Sequence, residues 1–417
     1  MKLHIKNGKL VDATNKLDCV GDLYIENGKI VSTNDEPPNF HAEKVIDATG
    51  QIVCAGFVDL SVRLKNIPEE TAVAASSGVT TFCVQPDISP IVDTPEVVKH
   101  LKELADLANY SSCYFIGALT QKLDGSELSS MLSLKQAGCI AVSNGNFPVK
   151  NLLIMRRAME YAASHDLLFM YRPNEFSLSN GGCAHEGAMA TRYGLPSIPE
   201  AAETIALEQC LELAELTGCR VHFGQLSSKR AVIKLQQAKK YGSTVSADVA
   251  MHQLHLTEND VVSFDSNYHV LPPLRSVHDR DYLRVGLLSG SLDGICSDHQ
   301  PHTIDAKLAA FPQTKAGIST LETLLPLLLK LVNQGSVDLA QGLVLLTTNP
   351  AKILGLNTGS LTIGLSADIC IFDPNLEWHV NSKNWRSAGI NTPFWGQALT
   401  GRVTHTIQAG KIIFTRV

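Results

Sequence analysis

Residues 55–65 read AGFVDLSVRLK. The run Gly56-Phe57-Val58-Asp59-Leu60 is apolar and β-branched, with a carboxylate near its end. That is the form of a parallel strand buried on both faces, whose C-terminal end opens on an active site. Such a strand needs parallel neighbours and covering helices, so the question is whether the chain supplies them.

It does. From about Phe57 to about Leu354, short apolar runs alternate with amphipathic helical segments. The runs are TTFCVQP (80–86), CYFIGAL (113–119), IAVSN (140–144), LLFMYR (167–172), RVHFGQLS (220–227), TVSADV (244–249) and GICSDH (294–299). Polar, Gly or Pro residues follow each run, the pattern of an α/β protein built as a (β/α)8 TIM-type barrel. Ser197-Ile198-Pro199-Glu200 reads as a capping box with Pro in the first turn, opening a helix that closes on Gly218. STLETLLPLLLKLVNQG (319–335) is a second long helix, apolar enough to pack on the barrel.

The two ends differ from the middle and resemble each other. LHIKNGKLVDA (3–13) and GDLYIENGKIVS (21–32) read as short alternating strands with Asn-Gly turns, a strong hairpin signal. GSLTIGLSADICIFDP (359–374) and GRVTHTIQAGKIIFTRV (401–417) repeat the pattern, with Ala409-Gly410-Lys411 in the turn. Neither end has enough strands for its own core, so residues 1–55 and 355–417 are expected to form one composite β-sandwich, with the barrel, 56–354, inserted between them.

The chain has 417 residues, 44% of them hydrophobic, and a formal net charge of -6. That is enough to bury a large core, and the scattered Lys and Arg make no basic face, which argues against nucleic acid as a partner. The opening MKLHIKNGKL lacks the apolar stretch of a secretory leader and no apolar run is long enough to span a bilayer, so a cytoplasmic protein with no membrane contact is expected. The ten cysteines have no Cys-x-x-Cys spacing, and Cys54, Cys83, Cys296 and Cys370 sit inside apolar runs, as small buried hydrophobes of a reducing compartment do.

A set of landmarks in order gives the chain a resemblance. GFVDL is followed by HEGAMATRYGLPSIPEAAE, LTEND, PPLRSVHDR, ICSDHQPH, GISTLETLLPLL and TTNPAKILGL. Over essentially its whole length the chain resembles the dihydroorotases, cyclic amidohydrolases of pyrimidine biosynthesis within the amidohydrolase superfamily. The resemblance implies one or two zinc ions held by a His-x-His on the first strand, an acidic or carboxylated-Lys position after the fourth, single histidines on the fifth and sixth, and an Asp on the eighth. At those positions this chain has Ser61 and Arg63, Asn144, Tyr171, Gln225 and Asp298. Only Asp298 matches. Zinc binds imidazole, thiolate and carboxylate, and needs them to hold an activated water. A guanidinium cannot deprotonate and repels a cation.

The substrate positions implied by the resemblance are altered as well. Lys65 stands where the family grips a substrate carboxylate with Arg, Asp87 where it has Asn, and Leu271 where Asn precedes the paired prolines, while Arg275 and His302 are retained. Asp87 would repel an anionic substrate. Other histidines do not restore a ligand set. His222 lies three residues before Gln225, an odd offset that turns it to the opposite strand face, as a core or helix-facing residue. His252 and His255, and His299 and His302, have short spacings that serve packing and turns far more often than metals.

These losses lead to an expectation of no catalytic residues beyond the remnant Asp298, no metal and no cofactor. Arg63 either replaces the lost cation, with a bidentate pair on Asp298, or points to solvent. At the family level, inactive dihydroorotase-like chains co-assemble with aspartate carbamoyltransferase. The resemblance therefore implies a pseudoenzyme with that partner, itself a homo-oligomer. The alternatives are an active dihydroorotase or other cyclic amidohydrolase with an unusual site using Asp298, His299 and His302, and a sensor that keeps the barrel pocket. The first lacks anything to polarise the amide carbonyl, and Asp87 and Leu271 disfavour the original ligand for the second.

Overall fold

The computed structural model describes residues 1–149 and 151–416, so Val417, the last residue of the expected terminal unit, lies outside them. Eight parallel strands succeed one another around a barrel: Phe57–Val62, Val79–Val84, Ser112–Ala118, Cys139–Ser143, Leu168–Tyr171, Val221–Phe223, Ser246–Ala250 and Gly294–Cys296. Arg63 N–H donates to His299 O at 2.8 Å, which brings the first strand against the end of the eighth. Both strand faces are apolar for different reasons. Val58, Leu60, Cys83, Ile116, Met170 and Cys296 fill the barrel interior. Phe57, Phe82, Phe115, Phe169 and Phe223 point the other way, into the layer shared with the helices, and are fully buried.

Local chemistry sets the helix starts. Ser228 Oγ accepts from Ala231 N–H at the head of Lys229–Lys240, and Ser276 and Asp279 form a reciprocal capping box at the head of Val277–Leu288. The box expected at Ser197 does not form. Helix Glu200–Thr217 begins after Pro199 without a side-chain cap, because Ser197 and Ile198 are pulled into a two-residue parallel ladder with Ala184 and His185. The helix ends at Gly218, with φ of 67°, as expected. In the apolar segment after Ser319, a single turn (Leu321–Thr323) precedes helix Leu324–Asn333.

The second sheet takes strands from both ends of the chain. Lys2–Asp12, Leu17–Glu26, Lys29–Thr33, Lys44–Asp47 and Ile52–Ala55 join Ile369–His379, Ala398–Gln408 and Lys411–Thr415. The two halves meet where Ile52–Ala55 runs antiparallel to Ile369–Phe372. Its core, including Leu3, Ile5, Leu23, Ile25, Val53, Ile369, Ile371 and Ile407, is separate from that of the barrel. Asn27-Gly28 and Ala409-Gly410 are the hairpin turns expected, all four residues at positive φ.

Asn7-Gly8 is not a turn. It is a bulge inside one long strand, with Asn7 at φ of 61°, its N–H donating to Asp22 Oδ1 at 2.9 Å, and the register shifting between Ile5 and Gly8. Gly8 is required there because a Cβ would lie 2.5 Å from Val53 Cγ2. Residues 359–368, read as strand, form a loop that returns to Asp12 through Leu361 N–H at 2.6 Å. Among the described residues, no helix is long and apolar enough to cross a membrane.

Candidate functional site

The C-terminal ends of the barrel strands converge on a small polar mouth. Asp298 follows the eighth strand in a left-handed conformation, φ of 50°. Its Oδ1 accepts three hydrogen bonds, from Arg63 Nη1 at 3.2 Å, Gln225 Nε2 at 2.8 Å and Gln300 Nε2 at 3.0 Å. Burial outweighs these donors and pushes the Asp298 carboxyl up to about 7. Gln225 Nε2 also donates to Ser61 Oγ at 2.7 Å, so four of the six expected metal positions, Ser61, Arg63, Gln225 and Asp298, meet in one network.

Arg63 neither makes the bidentate pair on Asp298 nor points to solvent. It divides its donors: Nη1 goes to Asp298 and Nε goes to Asp87 Oδ1 at 2.8 Å. The strand directs Arg63 between the two acids, so one guanidinium compensates two carboxylates. Asp87 is thereby engaged rather than left as a free repulsive charge, and its Oδ2 accepts from Asn146 N–H at 3.0 Å. Beneath them, Asp59 Oδ1 accepts from Ser61 and Ser297 N–H groups, Oδ2 has no partner, and burial raises this carboxyl to about 6.

The other two expected metal positions turn elsewhere. Asn144 Oδ1 accepts from Thr120 N–H and Oγ1 at 3.2 and 2.8 Å, latching the loop after the third strand. Tyr171 borders the mouth, but its ring packs with Phe169 and Phe223 on the helix-facing side. Its neighbour Arg172 lines the mouth instead, and the sequence reading missed it. Arg172 stands one residue beyond the last paired residue of its strand, where alternation alone does not assign a face. Its signal was a charged residue directly following an apolar run. Gln300, a donor to Asp298, was missed as well, because it lies in the loop beyond Gly294–Cys296 where no strand pattern applies.

His222, expected to be a core or helix-facing residue, is the former, a core residue and not a helix-facing one. It lies inside the barrel, fully buried, with Nδ1 at 2.8 Å from Ser246 Oγ and Nε2 at 3.0 Å from Asp248 Oδ2. Asp248 Oδ1 in turn accepts from Gln225 N–H at 2.6 Å. The counting rule failed because Gln225 has left the strand and sits at φ of 59°. His299 accepts at Nδ1 from Thr320 N–H and donates from Nε2 to Glu70 at 3.1 Å, away from the mouth. His252 is buried without a hydrogen-bond partner and burial lowers it to about 4. His255 Nε2 lies 3.0 Å from the Leu327 carbonyl.

Among the expected substrate positions, Lys65 is exposed and Leu271 half-buried. His302 Nε2 lies 2.9 Å from the Ala316 carbonyl, and burial lowers the ring to about 4. Arg275 is consumed structurally. Its guanidinium donates to Ser227 Oγ at 3.1 Å and Ile198 O at 2.9 Å, and it lies 3.8 Å from Glu203.

The fit to zinc follows from the donors. Ser61, Asn144, Tyr171 and Gln225 offer no imidazole, thiolate or carboxylate, and a guanidinium already lies 3.2 Å from the single matching acid. Among the described residues, no group of three or more His, Cys, Asp or Glu is arranged to hold a metal ion. The residues do not fit the family's metal centre.

Comparison with known proteins agrees with the fold. A model of dihydro-orotase-like proteins matches residues 50–231. A dihydroorotase-like protein of Pseudomonas aeruginosa is 42% identical, covering 99% of this chain and 99% of its own length. A dihydroorotase of Syntrophus aciditrophicus is 36% identical, with 99% of each chain covered. Among solved structures, the L-hydantoinase (dihydropyrimidinase) of Arthrobacter aurescens has a TM-score of 0.88 at 24% identity, covering 100% of this chain and 97% of that one, a likeness of fold. With full-length relatives at these identities and this barrel beneath them, the chain belongs to the dihydroorotase-like family of cyclic amidohydrolases.

Proposed function

We propose that this chain is a non-catalytic member of that family, serving pyrimidine biosynthesis as a structural partner of aspartate carbamoyltransferase and assembling as a homo-oligomer. The observation that carries the reading is the Arg63 guanidinium set between Asp87 and Asp298. A fixed positive charge there compensates acids that would otherwise be buried unpaired, and it opposes any divalent cation. No metal-binding donor set stands beside Asp298, and Arg63, the guanidinium nearest to it, is already committed to two acids, which leaves little to polarise an amide carbonyl there. The intact barrel and terminal sheet support use of the scaffold itself, and the choice of partner follows from the family resemblance.

Elemental analysis of chelator-washed protein, paired with dihydroorotase assays in both directions, tests the loss of chemistry. Substoichiometric zinc and no turnover are expected, whereas stoichiometric zinc with turnover would overturn the reading. Size-exclusion chromatography with light scattering, with and without aspartate carbamoyltransferase from the same organism, tests the partner. A joint peak is expected, and independent elution at micromolar concentrations of each would remove the partner.

A second reading is an active dihydroorotase or other cyclic amidohydrolase with an unusual site. The 36% identical relative named dihydroorotase supports it. The same turnover assay separates the two.

A further inference from the structure

The mouth holds a second guanidinium that the scaffold reading does not use. Arg172 Nε is sealed from solvent and has no hydrogen-bond partner, and among the described residues no ion pair engages this side chain. The surrounding acids are already committed. Asp87 and Asp298 both serve Arg63, and the Glu175 carboxylate faces its own helix start, accepting from Ser177 Oγ at 2.6 Å and Leu178 N–H at 2.9 Å. Burial and the positive charge of Arg63 act against protonated Arg172, while Asp298 and Asp87 favour it from beyond ion-pair distance. The side chain is half-buried with its Nε sealed, and a cation so placed with no direct ion pair gains by accepting an anion.

A cavity is available beside it. Between the loops after the fourth and fifth strands lies a slot of about 360 Å³. Arg172 and Tyr171 line both the slot and the mouth. The wall is mixed: Phe147 and Phe176, each about half exposed, stand beside Asn174, Glu175 and Ser177, and Met155 is buried below. Asn146, also on the wall, has a buried Oδ1 without a partner among the described residues. A cation at the inner end and aromatic rings at the outer end describe an amphipathic ligand.

We propose that this slot binds a small molecule with an oxyanion, carboxylate or phosphate, attached to a flat apolar body, the oxyanion on Arg172 and the body between Phe147 and Phe176. The slot borders the altered centre and shares Asn144 and Tyr171 with the expected metal positions, but among the described residues none of Lys65, Asp87, Leu271, Arg275 and His302, the expected substrate positions, lines it. Binding there does not depend on assembly with any carbamoyltransferase.

The test uses the full-length protein and four probes: benzoate, phenylphosphate, benzamide and inorganic phosphate. Calorimetric titration and thermal shift are read on wild type, Arg172→Met and Phe176→Ala. Saturable binding of benzoate or phenylphosphate is expected, and whichever binds more tightly identifies the oxyanion. Benzamide and inorganic phosphate should bind far more weakly. Arg172→Met should weaken the aryl oxyanion about tenfold to a hundredfold, the range for a lost charge-assisted hydrogen bond. Without ligand it should melt no lower than wild type, because it removes an unpaired charge. Phe176→Ala should weaken the aryl probes and leave inorganic phosphate unchanged. The proposal is overturned if neither aryl oxyanion saturates, if benzamide binds equally, or if Arg172→Met binds as wild type. A collapse of the unliganded Arg172→Met fold would also overturn it, since Arg172 would then have a structural partner.

Discussion

Arg275 and Arg63 are both guanidiniums sunk among the loops at the C-terminal end of the barrel, and their surroundings could hardly differ more. Around Arg275 the donors and acceptors match: Ser227, Ile198 O and Glu203 receive it, and Glu203 also accepts from Ser227 N–H and Oγ at 2.7 and 2.9 Å. Around Arg63 two acids share one cation, while Asp59 Oδ2, Gln225 Oε1 and Arg172 Nε have no partner nearby. The first network ties together the loops after the fifth, sixth and seventh strands, so each lost bond would cost fold stability. The second gathers residues at positions where the family resemblance implies the active centre, and it compensates charge without completing the bonding. A closed network fixes its polar groups, and an open one leaves donors and acceptors over.

The largest expected effect falls on the closed network. Arg275→Met leaves Glu203 buried without its cation, and should cost about 3–5 kcal/mol in urea unfolding. A loss below about 1 kcal/mol would erase the distinction between the two regions, because surface-like substitutions reach that size.

Arg63→Met comes next. At pH 8 it leaves Asp87 and Asp298 without a shared cation, and a loss of about 2–4 kcal/mol is expected from breaking a buried pair. At pH 5.5 the loss should shrink, because Asp298, with its carboxyl near 7, takes up a proton and no longer needs compensation. Equal losses at the two pH values would show that Arg63 acts by packing.

The smallest effect isolates Asp298. Its folded value, about 7, lies above the ordinary 3.8, so the folded chain binds the extra proton and stability falls as pH rises through 7. His252 and His302, both lowered to about 4 by burial, act with opposite sign, a contribution that grows from about pH 4 and levels off about a unit above the ordinary 6.5. Comparing wild type with Asp298→Asn cancels the histidines. From pH 6 to 8 wild type should lose about 1 kcal/mol relative to the variant. A flat difference in stability across that range would mean that Asp298 stays ionised throughout.

How much could be read beforehand depends on the range of the forces involved. Alternating runs with both faces apolar, caps such as Ser276 with Asp279, and turns such as Asn27-Gly28 are governed by neighbours in sequence, and they were legible. The residue types at the positions where the resemblance implies ligands were equally plain, since type does not depend on where the side chain points. The failures are instructive. Ser197 left its capping role for a ladder with Ala184, and Asn7-Gly8 became a bulge because Val53, far along the chain, passes too close for a side chain.

The sequence by itself therefore determined the barrel and a β-rich unit made from both ends, expected as a sandwich and found as one eight-stranded sheet. Tertiary structure alone decided that Arg63 divides between Asp87 and Asp298, that His222 points inward, and that Arg172 rather than Tyr171 presents its polar end to the mouth. The physical reason is common to all three. Strand alternation holds only while the backbone stays extended and paired, and these decisions are made at strand ends, where positive φ at Gln225 and Asp298 and charges from distant segments set the direction of each side chain.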